Sequence, residues 1–213
     1  MPAVDFKKTQ KELYMPKTTP SVIYVPELNF IMVNGSGDPN NSADYQNALE
    51  ILYGLSWSIK MSKMSGTQPA GYYEYVMPPL EGLWWHKDGD AMVDLLDKDS
   101  FCWISMIRQP EFVTAEAFNS AKLALAKKKP DVDLTKARLE KFIEGLCVQV
   151  MHIGPYDSEP ASIAALERYA TANGYAIDIN EARRHHEIYL SDPRKTAPEK
   201  LKTVIRYPVK KVI

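Results

Sequence analysis

The sequence predicts an α+β domain made of two successive strand-helix-strand-strand units. Their strands join into one curved antiparallel sheet, with helices packed on one face and a central cleft between the units. Three observations predict this. Several short runs rich in aromatic and aliphatic residues lie between proline and glycine punctuation, as strands do. Between them stand stretches whose apolar residues recur at the helical period. Above all, the order of motifs in the first half starts again in the second.

The first element is an arm. Residues 1–28 carry Pro2, Pro16, Pro20 and Pro26 among lysines, so they read as extended chain with one short helical turn near Lys7 to Leu13. Phe30 to Val33 reads as a buried strand, followed by a turn at Gly35-Ser36-Gly37-Asp38-Pro39. Asn41 or Ser42 can cap a helix whose apolar face is Tyr45, Ala48, Leu49, Leu52 and Ile59. Gly66 to Gly71 is a loop, and Tyr73 to Met77, Leu83 to Trp85 and Phe101 to Ile107 read as strands. Thr114 caps a helix through Lys129, stopped by Pro130, and a second helix is predicted from Leu134 to Glu144, ending at Gly145.

From Leu146 the pattern repeats. Met32-Val33-Asn34-Gly35 corresponds to Met151-His152-Ile153-Gly154, and Ala48-Leu49-Glu50 to Ala165-Leu166-Glu167. Leu80-Glu81-Gly82 can be set against His186-Glu187-Ile188, and Ile107-Arg108-Gln109-Pro110 against Ile205-Arg206-Tyr207-Pro208. Four matches in one order argue for a duplicated unit. The first repeat would span about 29–110, a helical connection about 111–145 and the second repeat about 146–213.

Composition narrows the function classes. The 213 residues are 45% hydrophobic and 25% charged, ordinary values for a globular chain of one domain. A net charge of -1 argues against a general nucleic-acid footprint, which needs clustered excess Lys and Arg. The Lys127-Lys128-Lys129 run reads as a solvated helix end. Cys102 and Cys147 sit inside apolar runs, as buried reduced thiols do, rather than in a disulfide framework. The charged N-terminus lacks the apolar core of a signal peptide, and no stretch is apolar for long enough to span a bilayer. A cytoplasmic location, without membrane or direct nucleic-acid partners, is the expectation; the sequence assigns no protein partner.

Few residues invite chemistry. Asp157, Ser158, Glu159 and Pro160 open the second unit's helix and read as a turn and cap. Glu187 stands in the apolar strand His186-Glu187-Ile188-Tyr189-Leu190, where a carboxylate is costly unless it meets a partner or a cavity. Two readings stay open: a carboxylate facing the cleft beside Tyr189, or a structural ion pair with Arg206 or Arg108. Glu81 is its counterpart in the first unit. Trp84, Trp85 and Trp103 exceed what a small core needs, so some are expected to face a flat ligand. Adjacent strand residues point to opposite faces, so His152, His185, His186 and Glu187 do not form a metal-ligand set, and no metal or cofactor is expected.

The chain resembles the GyrI-like small-molecule-binding family, whose fold also serves as the ligand domain of multidrug-sensing transcription activators. The likeness runs from Phe30 to Gly37 through Pro79-Leu80-Glu81-Gly82-Leu83-Trp84-Trp85 and Ile107-Arg108-Gln109-Pro110. Its most specific segments are His152-Ile153-Gly154-Pro155-Tyr156 and His185-His186-Glu187-Ile188-Tyr189-Leu190-Ser191-Asp192-Pro193. The resemblance implies a cleft for flat aromatic ligands with Glu187 at its floor. Some stand-alone members of this family hydrolyse the strained ring of DNA-alkylating cyclopropanoid antibiotics, and this chain looks like that type. On that implication Glu187 acts as general base, Tyr156 and Tyr189 hydrogen-bond the ligand carbonyl, and Trp84, Trp85, Trp103 and Glu81 complete the site. The alternative is a binder without chemistry, a drug sink or a sensor working through a partner.

Overall fold

A computed structural model describes residues 2–89 and 97–212. Two short helices come first, α1 (Phe6–Thr9) and α2 (Lys11–Tyr14), then β1 (Ser21–Ser36), α3 (Ala43–Met61), β2 (Leu80–His86) and β3 (Phe101–Gln109). Next come α4 (Ala115–Lys128), β4 (Ala137–Ile153), α5 (Glu159–Ala172), β5 (Tyr175–Ile177), β6 (His185–Tyr189) and β7 (Lys202–Lys211). The caps read from the sequence are in place. Ser42 Oγ accepts from Tyr45 N at 3.3 Å at the start of α3, and Thr114 Oγ1 accepts from Ala117 N at 3.3 Å at the start of α4. Each satisfies a backbone donor that the first helical turn leaves free.

The strands run in the order β4-β1-β3-β2-β6-β7-β5, and β4 also pairs with β7. That extra pairing closes six antiparallel strands into a barrel, where one curved antiparallel sheet was expected. Closure follows from the length of β4. Residues 137–149 pair with β1 and residues 147–153 pair with β7, so one strand serves two neighbours and no edge is left between them.

The helix predicted from Leu134 to Glu144 is replaced by a single helical turn at Leu134–Lys136 and the first half of β4. Pairing of 137–143 with 27–33 of β1 outweighs the helical propensity of the local sequence. Gly145, read as a helix stop, instead holds φ 72 inside the strand. The bend lets Phe142 and Glu144 before it, and Cys147 and Met151 after it, all face the barrel interior. Arg183 fastens the bend, its guanidinium donating to the carbonyls of Glu144 at 3.0 Å and Leu146 at 2.5 Å. The expected strand at Tyr73 to Met77 reduces to one bridge between Val4 and Tyr75, and β1 begins at Ser21, within the expected arm.

The barrel interior is partly apolar, with Phe30, Met32, Leu83 and Met106 at its heart. Phe6, Leu13 and Tyr14 of α1 and α2 plug it. It also holds a buried ionic chain. Glu81 Oε2 lies 3.0 Å from His186 Nε2, His186 Nδ1 lies 3.1 Å from Glu144 Oε1, and Arg206 Nη1 lies 2.9 Å from Glu144 Oε2. Arg206 also donates to the Leu13 carbonyl at 2.7 Å, which ties the plug to the network. Burial disfavours both His186⁺ and Glu144⁻, but their mutual attraction, with Arg206 added, outweighs it. His186 is pushed up to about 9 and Glu144 down to about 2.

Outside the barrel, α3 packs on β1 and β3, joined by α4, while α5 packs on β4, β5 and β7. The seam between β2 and β6 therefore lies between the two helical layers. Among the described residues no helix is long and apolar enough to cross a membrane.

Candidate functional site

The β2–β6 seam presents Gly82 opposite Glu187 and Trp84 opposite His185. Alternation along β6 turns His185, Glu187 and Tyr189 outward to this seam and His186 and Ile188 inward to the barrel. Gly82 carries no side chain, and Trp84 and Tyr189 use the space. A Cβ there would stand 2.5 Å from Trp84 Nε1 and 3.2 Å from the Tyr189 hydroxyl. Trp84 Nε1 donates to the Tyr189 hydroxyl at 2.9 Å, and that hydroxyl bonds in turn to Glu187. Tyr156 closes one side, its ring 5.9 Å from that of Tyr189 and nearly perpendicular to it. Tyr45 of α3 closes the other, 6.0 Å from Trp84.

The turn after β4 delivers two of these groups. His152 holds it, with Nδ1 2.9 Å from Ser162 Oγ and Nε2 3.2 Å from Ser158 Oγ. Tyr156 lies in that turn, and Glu159 is the first residue of α5.

Glu187 is almost buried, its side chain 10% exposed, and His185 Nε2 lies 2.7 Å from its Oε1. Burial alone would raise its pKa. The hydrogen bond and charge of His185, with bonds from Tyr189 and Glu159, outweigh burial and hold Glu187 below the ordinary carboxylate range. Glu159 goes the other way: burial, then the charge of Glu187, push it well above that range. The two carboxyls are thus coupled, Glu159 held above the ordinary carboxylate range and Glu187 below it. The raised pKa falls on Glu159 rather than on Glu187, because Glu187 receives the hydrogen bonds. The Tyr156 hydroxyl is pushed up to about 12, by burial and then by the Glu187 charge, so it stays a proton donor.

Around the pair, Ser105 is a hydrogen-bond partner of Tyr45 and Thr203 of Glu159, while His185 Nδ1 is buried without one. Ser105 pairs across Gly82 in the row of Glu187, and Thr203 pairs with Tyr189.

Of the residues singled out from the sequence, Glu187, Tyr156, Tyr189 and Trp84 come together here. Trp103 lies on the same sheet face but is wholly buried under α3, with Tyr45 edge-on at 5.0 Å. Trp85 points to the opposite face, where Arg184 stacks 4.7 Å from its ring centre. Glu81 also points away from the seam, into the barrel, because it is one residue from Gly82 on an alternating strand. Arg206 pairs with Glu144 rather than with Glu187. The sequence reading missed Glu159, His185 and Tyr45 as site residues. Glu159-Pro160 looked like an ordinary first helical turn, and the one available signal was an acid in the same post-strand turn as Tyr156. Among the described residues no group of three or more His, Cys, Asp and Glu is arranged to hold a metal ion.

Comparison with known proteins places this geometry. The model of the GyrI-like small molecule binding domain matches residues 18–210. A structure described as a hydrolase from Listeria innocua is 46% identical, covers 97% of this chain and 100% of its own, and superposes with a TM-score of 0.89. An uncharacterised conserved protein from Listeria innocua is 48% identical with the same coverage and a TM-score of 0.92. The EcmrR C-terminal domain, 14% identical, covers 91% of this chain and 98% of its own at a TM-score of 0.56, a likeness of fold. No curated protein matches significantly. The chain belongs to the GyrI-like small-molecule-binding family.

Proposed function

We propose that this protein binds flat, largely apolar aromatic molecules at the β2–β6 seam and hydrolyses cyclopropanoid DNA-alkylating compounds there. The observation that carries the reading is the buried Glu187–Glu159 pair, one carboxyl held low and the other high, between the rings of Trp84, Tyr156 and Tyr189. Base and acid are thus present together before substrate arrives. The hydrolase description of a relative 46% identical supports the same class of reaction.

The steps balance as follows. Glu187 takes a proton from water, whose oxygen bonds to a ring carbon of the cyclopropane. The strained carbon–carbon bond breaks, and its electron pair passes through the conjugated system to the carbonyl oxygen. Tyr156 polarises that oxygen and Glu159 protonates it. Transfer of the proton from Glu187 to Glu159 restores the pair. Trp84 is fixed by its bond to Tyr189 and supplies the stacking face.

A second reading is favoured by the lowered pKa of Glu187, since a weaker base is also a better fixed charge: a drug sink or sensor that binds without turnover. Mass analysis decides between them. Excess spirocyclopropane substrate converted to a product heavier by one water supports hydrolysis; substrate recovered intact after many protein equivalents supports the binder. The element order β1-α3-β2-β3 and, after α4, β4-α5-β5-β6-β7, with β5 as an addition, supports a duplicated unit, with the seam on its pseudo-two-fold axis. Two free thiols, Cys102 and Cys147, fit a cytoplasmic location.

A further inference from the structure

A groove of about 750 Å³ runs between the N-terminal arm, the end of β4 and the segment joining β6 to β7. We propose that it docks an acidic peptide segment of a partner protein, held by lysines and anchored by apolar side chains. The site is separate from the β2–β6 seam and does not depend on the reaction there.

The charge is the first support. Lys7, Lys8 and Lys11 line the groove from the arm and Lys200 and Lys202 from the opposite wall, against two carboxylates, Asp5 and Glu199. That is a local excess of three positive charges on a chain whose net charge is -1. Several lysines elsewhere sit on acids, as Lys129 on Glu50, Lys136 on Asp44 and Lys141 on Glu27. In the groove only Lys8 does, at 3.9 Å from Asp5, while Lys7, Lys11, Lys200 and Lys202 form no ion pair among the described residues. Four unpaired ammonium groups along one groove repel one another, and carboxylates laid between them relieve that repulsion.

The lining is the second support. Met15 and Ile153, 45% and 49% exposed, and the half-buried Leu190 line the same groove. Methionine adapts to varied apolar partners. Small-molecule sites are lined mostly by apolar side chains with a few fixed polar groups. Here seven of the eleven lining residues are charged, and the lysine heads are unrestrained. A lipid surface calls for apolar side chains that protrude, whereas these line a concavity. An extended acidic peptide with apolar anchors satisfies both features.

The test uses the full chain and a fluorescein-labelled peptide of aspartate and glutamate around a Leu-Phe pair, followed by fluorescence anisotropy. Saturable binding is expected, lost on the order of tenfold in Lys200→Glu/Lys202→Glu. It should weaken severalfold in Met15→Ser and fall as salt rises from about 0.05 to 0.5 M. Replacing the peptide's acids by lysine should abolish it, and Glu187→Gln should leave it unchanged. Three results overturn the proposal: no saturable binding, equal binding by the lysine-reversed variant, or lysine-dependent capture by phosphatidylglycerol vesicles without peptide binding.

Discussion

His185 Nε2 stands 2.7 Å from Glu187 Oε1, two residues away on the same strand, and both side chains face the seam between β2 and β6. An ionised carboxylate can only accept, so Nε2 carries the proton, and the other ring nitrogen, Nδ1, is left buried without a partner. Glu187 is thereby fixed in orientation and kept ionised while its neighbour Glu159 stays protonated. Charge, donor and acceptor stand together on the outer face of the seam.

Glu187→Gln should remove turnover of a cyclopropanoid substrate by about 10²- to 10⁴-fold, the usual worth of a positioned base, while aromatic ligands still quench tryptophan emission. Turnover at the parent rate would take Glu187 out of the mechanism.

Glu159 differs in kind because it is the protonated partner. Glu159→Gln keeps a neutral donor toward Glu187, so ligand affinity at neutral pH should change less than about threefold, yet turnover should fall with the lost proton source. The parent's rate should also fall at alkaline pH, once Glu159 ionises and repels Glu187. A flat alkaline limb would contradict a shared proton.

Gly82→Ala places a methyl carbon 2.5 Å from Trp84 Nε1. The indole must shift and its bond to Tyr189 break, so ligand affinity should fall at least tenfold while thermal stability drops by only about 1–3 kcal/mol. Tryptophan emission would report the shift directly. Unchanged emission and affinity would mean that the ring is not held as described.

Stability should depend on pH through the barrel network. His186 is raised from 6.5 to about 9 when folded, so its contribution is complete below about pH 6.5 and lost as pH rises through about 9. Glu144 is lowered from 4.5 to about 2, so its contribution is present above about pH 4.5 and lost as pH falls through about 2. Urea midpoints should therefore be highest, as far as these groups decide it, between about pH 4.5 and 6.5. Glu144→Gln leaves Arg206 without its buried counter-ion, while His186 keeps Glu81, and should cost about 3–5 kcal/mol.

Much was legible in the sequence, and for local reasons. Ser42 and Thr114 are helix caps whose hydroxyls act within one turn, and the apolar face of α3 needs only its own period to be seen. Strand alternation separated Glu187 from His186. The tertiary structure alone decided the rest. Whether 137–144 became helix or strand depended on hydrogen bonds to β1 residues more than a hundred positions away. Barrel closure depended on a β4–β7 pairing that no local pattern encodes. Glu81 and Glu187 occupy matching motifs yet face opposite sides of the sheet, because a one-residue difference in position flips a strand's side chains. The protonation of the site likewise belongs to the fold. Burial side by side raises Glu159, and the hydrogen bonds that Glu187 receives from His185 and Tyr189 hold Glu187 low.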